Sequence, residues 1–330
     1  MLALVLAACG KEPPAPVEFS GAAMGTTWNV KLAIPPGGGA PPDLQAAVSA
    51  RIEDLEQSMS TYREDSELSE FNRYAGGDWF PVSPALCEVV AAALDIGAAS
   101  GGAFDVTVGP LVDLWGFGPA GSRDAPPGAD EIERAIDRTG ADQLDADCDR
   151  PALRKNRPEL QVDLSAIAKG YAVDEVTELL DDYGFTDYLV EIGGELRARG
   201  RHPADRDWSI GIEMPDPGGR SVRSVLTLVD RAVATSGDYR NFFDFEGRRY
   251  SHTIDPRTGE PVRHDVAAVT VVARSAMSAD AWATALLVLG PGEAERIAED
   301  RGLAVLLQDR NQSDVRLAGG FEELVRRPAP

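Results

Sequence analysis

The stretch Tyr188-Leu-Val-Glu-Ile-Gly-Gly-Glu-Leu-Arg-Ala198 lies where the chain changes from helical to extended character. Apolar runs flank Gly193-Gly194, a pattern that predicts two strands joined by a two-residue turn. Further strand patterns occur at 208–212, 222–229, 232–235, 266–272 and 303–307. Most of their connections are of hairpin length, which favours a largely antiparallel sheet.

Helix patterns lie mainly before this stretch. Apolar residues between Leu44 and Met59 recur close to every 3.6 residues, as in an amphipathic helix. Ser83-Pro84 is typical of a helix start, and the apolar run behind it reaches Ala99. Other helices are predicted at 130–139, 165–183, 276–289 and 293–300. Because helices cluster early and strands follow without regular alternation, the sequence predicts an α+β fold rather than a doubly wound parallel sheet.

Composition narrows the possible functions. The 330 residues include 54 acidic and 32 basic side chains, for a formal net charge of −22. Such a chain repels a phosphate backbone, so nucleic acid is excluded as an expected partner. A polyanionic protein that handles phosphates needs a divalent cation to screen them, which makes a metal site worth seeking.

The N-terminus resembles a bacterial lipoprotein signal. Residues 1–9 are apolar and end in Leu6-Ala-Ala-Cys9, with small residues before a cysteine that would carry the lipid. We expect a flexible linker at 10–19 and one domain at 20–330. The alternative is the chance start of a buried strand, and the lack of a basic segment leaves open a start upstream of Met1. Cys87 and Cys148 could pair in an oxidising compartment, but no essential disulfide is expected.

Asp280 and Thr284 form the most informative pair. On a helix, positions i and i+4 share one face, so a carboxylate and a hydroxyl oxygen can point at the same hard cation. Magnesium suits these oxygens. The alternative is purely structural, with the aspartate favoured by the helix dipole and the threonine bonded to a carbonyl.

His252 is the best candidate for a base that works at neutral pH. It precedes Asp255-Pro-Arg-Thr-Gly259, a strong turn signal, and is therefore expected at a strand end near a cleft. The other two histidines, His202 and His264, have no such setting. The segment from Asp163 to Lys169 is predicted to be a strand-to-helix junction that either caps the helix or holds phosphate or metal, and the segment from Gly101 to Pro110 a loop that runs into a short strand.

Taken together, several motifs resemble the ApbE family, the FAD:protein FMN transferases. The matching segments are Met24-Gly-Thr-Thr-Trp28, Met59-Ser-Thr-Tyr-Arg63, Ser66-Glu-Leu-Ser-Glu-Phe-Asn72, Gly102-Ala-Phe-Asp-Val-Thr-Val-Gly-Pro110, Asp163-Leu-Ser-Ala-Ile-Ala-Lys-Gly170, Glu191-Ile-Gly-Gly-Glu195, Ala234-Thr-Ser-Gly-Asp-Tyr239, His252-Thr-Ile-Asp-Pro-Arg-Thr-Gly259 and Ser278-Ala-Asp-Ala-Trp-Ala-Thr284. They span residues 20 to about 310 and follow one another in the order expected for the family. The resemblance implies a T-fold-related α+β fold with a mixed, largely antiparallel sheet, flanking helices and an FAD cleft between subdomains.

The resemblance also assigns roles to residues. It implies that FAD is held by Met24, Tyr62, Ala103, Phe104, Asp105, Asp163, Lys169 and Ile254. It implies Mg²⁺ on the backbone carbonyl of Ala166 and on Asp280 and Thr284, and His252 as the catalytic residue. Asp255 is a candidate for orienting His252.

The implied reaction is Mg²⁺-dependent transfer of FMN from FAD to a threonine hydroxyl of an acceptor protein, with release of AMP. The implied acceptors are extracytoplasmic flavoproteins such as subunits of Nqr or Rnf redox complexes, with the threonine in an Asp/Ser/Thr-Gly-Ala-Thr-like motif. The implied location is the periplasmic side of the bacterial inner membrane, anchored through Cys9. Two alternatives remain, an FAD pyrophosphatase that yields FMN and AMP, and a non-catalytic flavin-binding lipoprotein.

Overall fold

The structure is a computed structural model that describes residues 15–35, 37–118, 121–216, 218–219, 221–311 and 315–325. Its helices are α1 (Leu44–Met59), α2 (Glu67–Arg73), α3 (Pro84–Ala99), α4 (Gly109–Leu114), α5 (Ala129–Ile136), α6 (Ala168–Asp182), α7 (Ala276–Leu289) and α8 (Glu293–Arg301). Its strands are β1 (Val17–Ala23), β2 (Thr26–Leu32), β3 (Phe80–Pro81), β4 (Leu144–Asp147), β5 (Ala152–Lys155), β6 (Tyr188–Ile192), β7 (Glu195–Arg199), β8 (Trp208–Glu213), β9 (Val222–Leu228), β10 (Arg231–Gly237), β11 (Phe242–Phe245), β12 (Arg248–Ser251), β13 (Ile254–Asp255), β14 (Glu260–Pro261), β15 (Val266–Ala273), β16 (Ala304–Asp309) and β17 (Val315–Ala318).

An eight-stranded sheet organises the molecule, in the order β1-β2-β6-β7-β10-β15-β16-β17. Every strand pairing within the described ranges is antiparallel. The hairpin of β6 and β7 turns through Gly193 and Gly194, whose φ angles of 64° and 106° are strained for residues with a side chain. Helices and antiparallel strands thus confirm the predicted α+β class.

The sheet is covered on both faces. Helices α1, α6 and α7 pack on one face, and the hairpin of β8 and β9 packs on the other. Strand β15 lies between these layers and all eight of its residues are buried. A third, smaller apolar cluster around Leu111, Trp115, Ala135 and Ile254 joins α4 and α5 to the hairpin of β11 and β12.

The strongest helix predictions are confirmed. Helix α1 buries Leu44, Val48, Ile52, Leu55 and Met59, the residues whose spacing predicted it. Helix α3 begins where predicted because the Ser83 side chain accepts a hydrogen bond from the backbone N–H of Leu86. Helix α7 covers the predicted residues 276–289.

Other expectations need correction. The short strand predicted before Pro110 does not form, because Asp105 Oδ1 accepts from the backbone N–H of Thr107 and shapes a turn that leads into α4. The strand expected immediately before Asp163 does not form either, since residues 156–163 are not in a strand. Helix α6 begins at Ala168 rather than at Ser165. Strand β1 begins at Val17, so residues 17–19 of the predicted linker pair with β2.

Cys87 and Cys148 form a disulfide that ties α3 to the turn between β4 and β5. It closes a loop across 61 residues, for which chain entropy alone gives a stabilisation of about 4 kcal/mol. The possible pairing of these two cysteines is therefore confirmed, and the expectation that no disulfide is essential stays a prediction. The predicted signal and Cys9 lie outside the described residues, and within the described ranges no helix is both long and apolar enough to cross a membrane.

Candidate functional site

A cavity of about 470 Å³ lies between the helical layer over the main sheet and the smaller apolar cluster. It is lined by eleven of the twelve residues to which the family resemblance assigns FAD binding, Mg²⁺ binding or catalysis: Tyr62, Ala103, Phe104, Asp105, Asp163, Ala166, Lys169, His252, Ile254, Asp280 and Thr284. A larger cavity of about 630 Å³ lies beside α4 and α5 and contains none of them. The chemistry-bearing residues therefore share one cleft although they are spread over more than 220 positions of the sequence.

The contact between α6 and α7 brings the charged residues of the cleft together. Gly170 on α6 lies so close to α7 that a Cβ atom there would be 2.3 Å from the carbonyl oxygen of Ala276. Its backbone N–H donates to Asp280 Oδ2 over 3.0 Å. A small residue at this position is therefore required for Asp280 to reach the cleft while buried.

Two buried carboxylates face a single ammonium group. Lys169 Nζ lies 2.6 Å from Glu195 Oε1, and Asp280 and Glu195 are 3% and 4% exposed. Burial raises the pKa of Asp280, against the opposing effect of Lys169, and burial together with Asp280 raises the pKa of Glu195 to about 8. Burial lowers the pKa of Lys169, but the two carboxylates outweigh it and leave the pKa above its ordinary value. Both carboxyl groups have raised pKa values because one ammonium group does not compensate two buried anions, and a further cation would stabilise their charged forms.

The expected metal ligands fit a hard divalent cation. Asp280 and Thr284 are one turn apart on α7, and the Ala166 residue that precedes α6 lines the same cavity. Ser236 Oγ lies 2.9 Å from Thr284 Oγ1 and fixes that hydroxyl. Glu195 Oε2 is buried without a hydrogen-bond partner. Within the described ranges no group of three or more His, Cys, Asp or Glu side chains forms a metal site, so a cation here would rely on carbonyl, hydroxyl and carboxylate oxygens, which suits Mg²⁺.

Asp105 and Asp163 shape the loops that border the cleft. Asp105 Oδ1 accepts from the hydroxyl and backbone N–H of Thr107, and burial raises the pKa of Asp105. Asp163 Oδ1 accepts from the backbone N–H and hydroxyl of Ser165, and its own N–H donates to the carbonyl of Val106. The two loops are thus tied together, and both aspartates have a structural role in addition to any ligand contact.

Two aromatic side chains offer flat surfaces to the cleft. Phe104 is buried in the main core at 3% exposure, whereas Tyr62 is 73% exposed. An exposed tyrosine at the cleft mouth is suited to packing against a bound ring.

His252 directly follows β12 and faces the cleft, as expected. Its Nδ1 lies 3.2 Å from the carbonyl oxygen of Asn241. A carbonyl can only accept, so Nδ1 carries the proton and Nε2 keeps a free lone pair. Burial lowers the pKa of His252 below its ordinary value of 6.5, which keeps the ring neutral at pH 7. The ring of Phe117 packs edge-on against it at 6.3 Å.

Asp255 does not orient His252. Both of its carboxylate oxygens accept from the guanidinium of Arg257, at 2.9 and 2.8 Å. The backbone carbonyl of Asn241 takes the orienting role instead, and sequence patterns carry no signal for a backbone group brought in from another segment.

Of the twelve residues, Met24 is the one that does not line the cavity. Its side chain packs against the main core and its backbone N–H donates to Glu56 Oε2 over 2.9 Å, at the turn between β1 and β2. Conversely, sequence reasoning assigned no role to Glu195, Ser236, Asn241 or Phe117, all of which line the cleft. The buried Glu195 beside a two-glycine turn was the one available signal.

Comparison with known proteins identifies the family of this chain. The model of the ApbE family matches residues 24–307. A FAD:protein FMN transferase of Vibrio cholerae is 44% identical over 304 residues, which cover 92% of this chain and 90% of the relative. The corresponding protein of Escherichia coli K12 is 37% identical over 92% of this chain and 89% of the relative.

Solved structures agree as well. The flavin transferase ApbE of Vibrio cholerae superposes with a TM-score of 0.86 at 41% identity, over 94% of this chain and 100% of the other. The apo flavinyl transferase ApbE of Pseudomonas stutzeri superposes with a TM-score of 0.85 at 40% identity, over 95% and 98%. By sequence along most of its length and by fold, this chain belongs to the ApbE family.

Proposed function

We propose that this protein transfers the FMN part of FAD to a threonine hydroxyl of an acceptor protein and releases AMP, with Mg²⁺ in the cleft. The observation that supports the proposal is that one cleft contains both a base and a site suited to a cation. The base is the neutral, oriented ring of His252, and the cation site is formed by the carboxyl groups around Lys169, those of Asp280 and Glu195. A base and a cation site side by side are what phosphoryl transfer to a weak hydroxyl nucleophile needs.

His252 would accept the proton of the attacking hydroxyl at Nε2. The hydroxyl oxygen forms a bond to the FMN-side phosphorus of FAD, the bond from that phosphorus to the bridging oxygen breaks, and the bridging oxygen leaves with AMP. The product is a phosphoester of FMN and threonine. The hydrogen bond of Nδ1 to Asn241 and the packing of Phe117 hold the ring in position.

The remaining residues would bind and orient FAD. The Ala166 carbonyl, Asp280 and Thr284 would hold Mg²⁺, which would supply positive charge beside the pyrophosphate. Lys169 adds a second cation, held in place by Glu195. Tyr62 and Phe104 offer faces for the flavin or adenine ring, and the loops capped by Asp105 and Asp163 close the sides of the cleft.

We further propose that the protein works on the periplasmic side of the bacterial inner membrane, anchored through Cys9, on acceptors such as Nqr-type or Rnf-type subunits. The disulfide of Cys87 and Cys148 supports an oxidising compartment.

The test uses the full chain in mild detergent with FAD, Mg²⁺ and a purified acceptor domain that carries the threonine motif. Intact mass of the acceptor and free AMP are measured, with EDTA and His252→Ala in parallel. His202→Ala is the matched control, because His202 packs against Trp208 and lies outside the cleft. We expect each acceptor to gain one FMN for each AMP released. EDTA and His252→Ala should abolish this transfer, and His202→Ala should leave it unchanged. Free FMN and AMP with an unchanged acceptor would instead indicate a pyrophosphatase, and FAD binding without AMP a non-catalytic flavin carrier.

A further inference from the structure

A third cavity, of about 360 Å³, lies beside the segment that leads to His252. Its lining includes four arginines, Arg248, Arg249, Arg263 and Arg310, and we call it the basic pocket. Only two carboxylates, Asp238 and Asp265, line it as well. Four arginines and two carboxylates make the lining positive, whereas the chain as a whole has a net charge of −22.

Three of the four arginines have a carboxylate partner. Arg310 is paired with the buried Asp238 over 2.6 Å, Arg263 with Glu260, and Arg249 loosely with Asp244 at 3.7 Å. The exposed Arg248 makes no ion pair within the described part of the chain. Its guanidinium lies 4.9 Å from the ring centre of Tyr250, where it remains able to bind an anion.

The pocket also contains polar atoms that lack partners. Ser251 is 3% exposed, lines the pocket, and its Oγ has no hydrogen-bond partner. His264 contacts the carbonyl of Leu287 through Nε2 at 2.7 Å, and its buried Nδ1 is unpartnered. A buried hydroxyl without a partner is costly, so a ligand that accepts its proton would be bound favourably.

The position of the pocket relates it to catalysis. Ser251 lines the basic pocket, whereas His252, the next residue, lines the cleft. The two cavities therefore adjoin along this segment, because Arg248 to Ser251 line the pocket and His252 to Ile254 line the cleft. Asp238 and Gly237 are adjacent in the same way, with Asp238 in the pocket and Gly237 in the cleft.

We propose that the basic pocket binds an acidic side chain of the acceptor protein, whose carboxylate contacts Arg248 and Ser251, and thereby positions the acceptor at His252. The inference rests on the proposed function, in which the second substrate is a protein. An acidic partner is repelled by most of this surface and attracted here, so the pocket provides orientation as well as affinity.

The test measures acceptor affinity directly, by biolayer interferometry on the full chain with FAD and without Mg²⁺, and then transfer kinetics with Mg²⁺. Arg248→Glu should weaken acceptor binding and raise the acceptor KM by about tenfold while leaving kcat and FAD affinity unchanged. Ser251→Ala should weaken binding to a smaller extent. Arg150→Glu is the matched control, since Arg150 is exposed and lines neither cavity, and its effect should stay within about twofold. An acceptor whose acidic residues near the threonine are replaced by lysine should bind Arg248→Glu better than it binds the unaltered enzyme.

The outcomes separate the two proposals. If the unaltered enzyme transfers FMN but Arg248→Glu binds the acceptor equally well, the pocket proposal is overturned and the proposed function stands. If the unaltered enzyme transfers nothing, the proposed function fails, and the binding arm still decides about the pocket. Inorganic phosphate is added as a further probe: if it raises the Tm of the unaltered enzyme but not of Arg248→Glu, while acceptor affinity is the same in both, the pocket takes a free anion and the acceptor assignment is wrong.

Discussion

Replacing Gly170 by alanine tests how the packing of α6 on α7 builds the site. The new methyl group would lie 2.3 Å from the carbonyl oxygen of Ala276 and 2.8 Å from Cβ of Asp280, where ordinary contact begins at 3.4 Å. The helices must therefore separate by about 1 Å, as close packing leaves no slack. The same movement stretches the 3.0 Å hydrogen bond from Gly170 N–H to Asp280 beyond bonding distance.

The expected loss of stability follows from these contacts. Overpacking costs about 1–3 kcal/mol, and the lost hydrogen bond to a charged group about 1.5–3 kcal/mol. The better helix propensity of alanine returns about 1 kcal/mol. The net destabilisation is about 2–5 kcal/mol, which for a chain of this length corresponds to a Tm lower by roughly 3–7 °C.

Differential scanning fluorimetry gives the Tm, and AMP release gives the activity. We expect Gly170→Ala to lower both, and Asp280→Asn to lower activity with a smaller change in Tm. Gly77→Ala is the matched control, because a Cβ at Gly77 meets nothing within 4 Å, and its change should stay within about 0.5 kcal/mol. A Gly170→Ala protein with unaltered Tm and activity would refute the close-packing argument.

Three further predictions follow from the site and its supports. Because burial lowers the pKa of His252, the rate of FMN transfer should rise with pH, with the midpoint of the rise below pH 6.5, and reach a plateau at higher pH. A midpoint above pH 7 would contradict His252 as the base. Thr284→Ala should raise the Mg²⁺ concentration for half-maximal activity by about tenfold or more, seen in a metal titration, whereas Thr227→Ala, a threonine that lies outside the cleft, should leave it unchanged. Cys148→Ser should lower the free energy of unfolding by about 4 kcal/mol in a denaturant titration and leave FAD affinity intact; equal stability with and without the disulfide would disprove its structural role.

Local signals predicted the helices well. The periodic apolar residues of α1 and the Ser83-Pro84 start of α3 specify their elements through neighbours a few positions away, so no knowledge of the rest of the chain was needed. The same holds for the i and i+4 spacing of Asp280 and Thr284, since both lie on α7 and line the cleft. Motif order along the chain predicted the family, and the family comparison confirms it.

Where tertiary contacts compete with local preference, the sequence misled. The β-branched residues after Phe104 favour a strand, yet the turn around Asp105 and its link to the Asp163 loop prevail. The expected contact of Met24 with FAD stays a prediction, because its side chain packs against the core and does not line the cavity.

By itself, the sequence determined the fold class, most helix positions, the family and eleven of the residues that line the cleft, because these depend on short-range spacing and on motif order. Only the tertiary structure decided which groups touch. The contact of the Asn241 carbonyl with His252, the grouping of Asp280 and Glu195 around Lys169, and the disulfide of Cys87 and Cys148 all join segments far apart in the chain. Distances and burial control proton affinity and hydrogen bonding, and neither can be read from residue order alone.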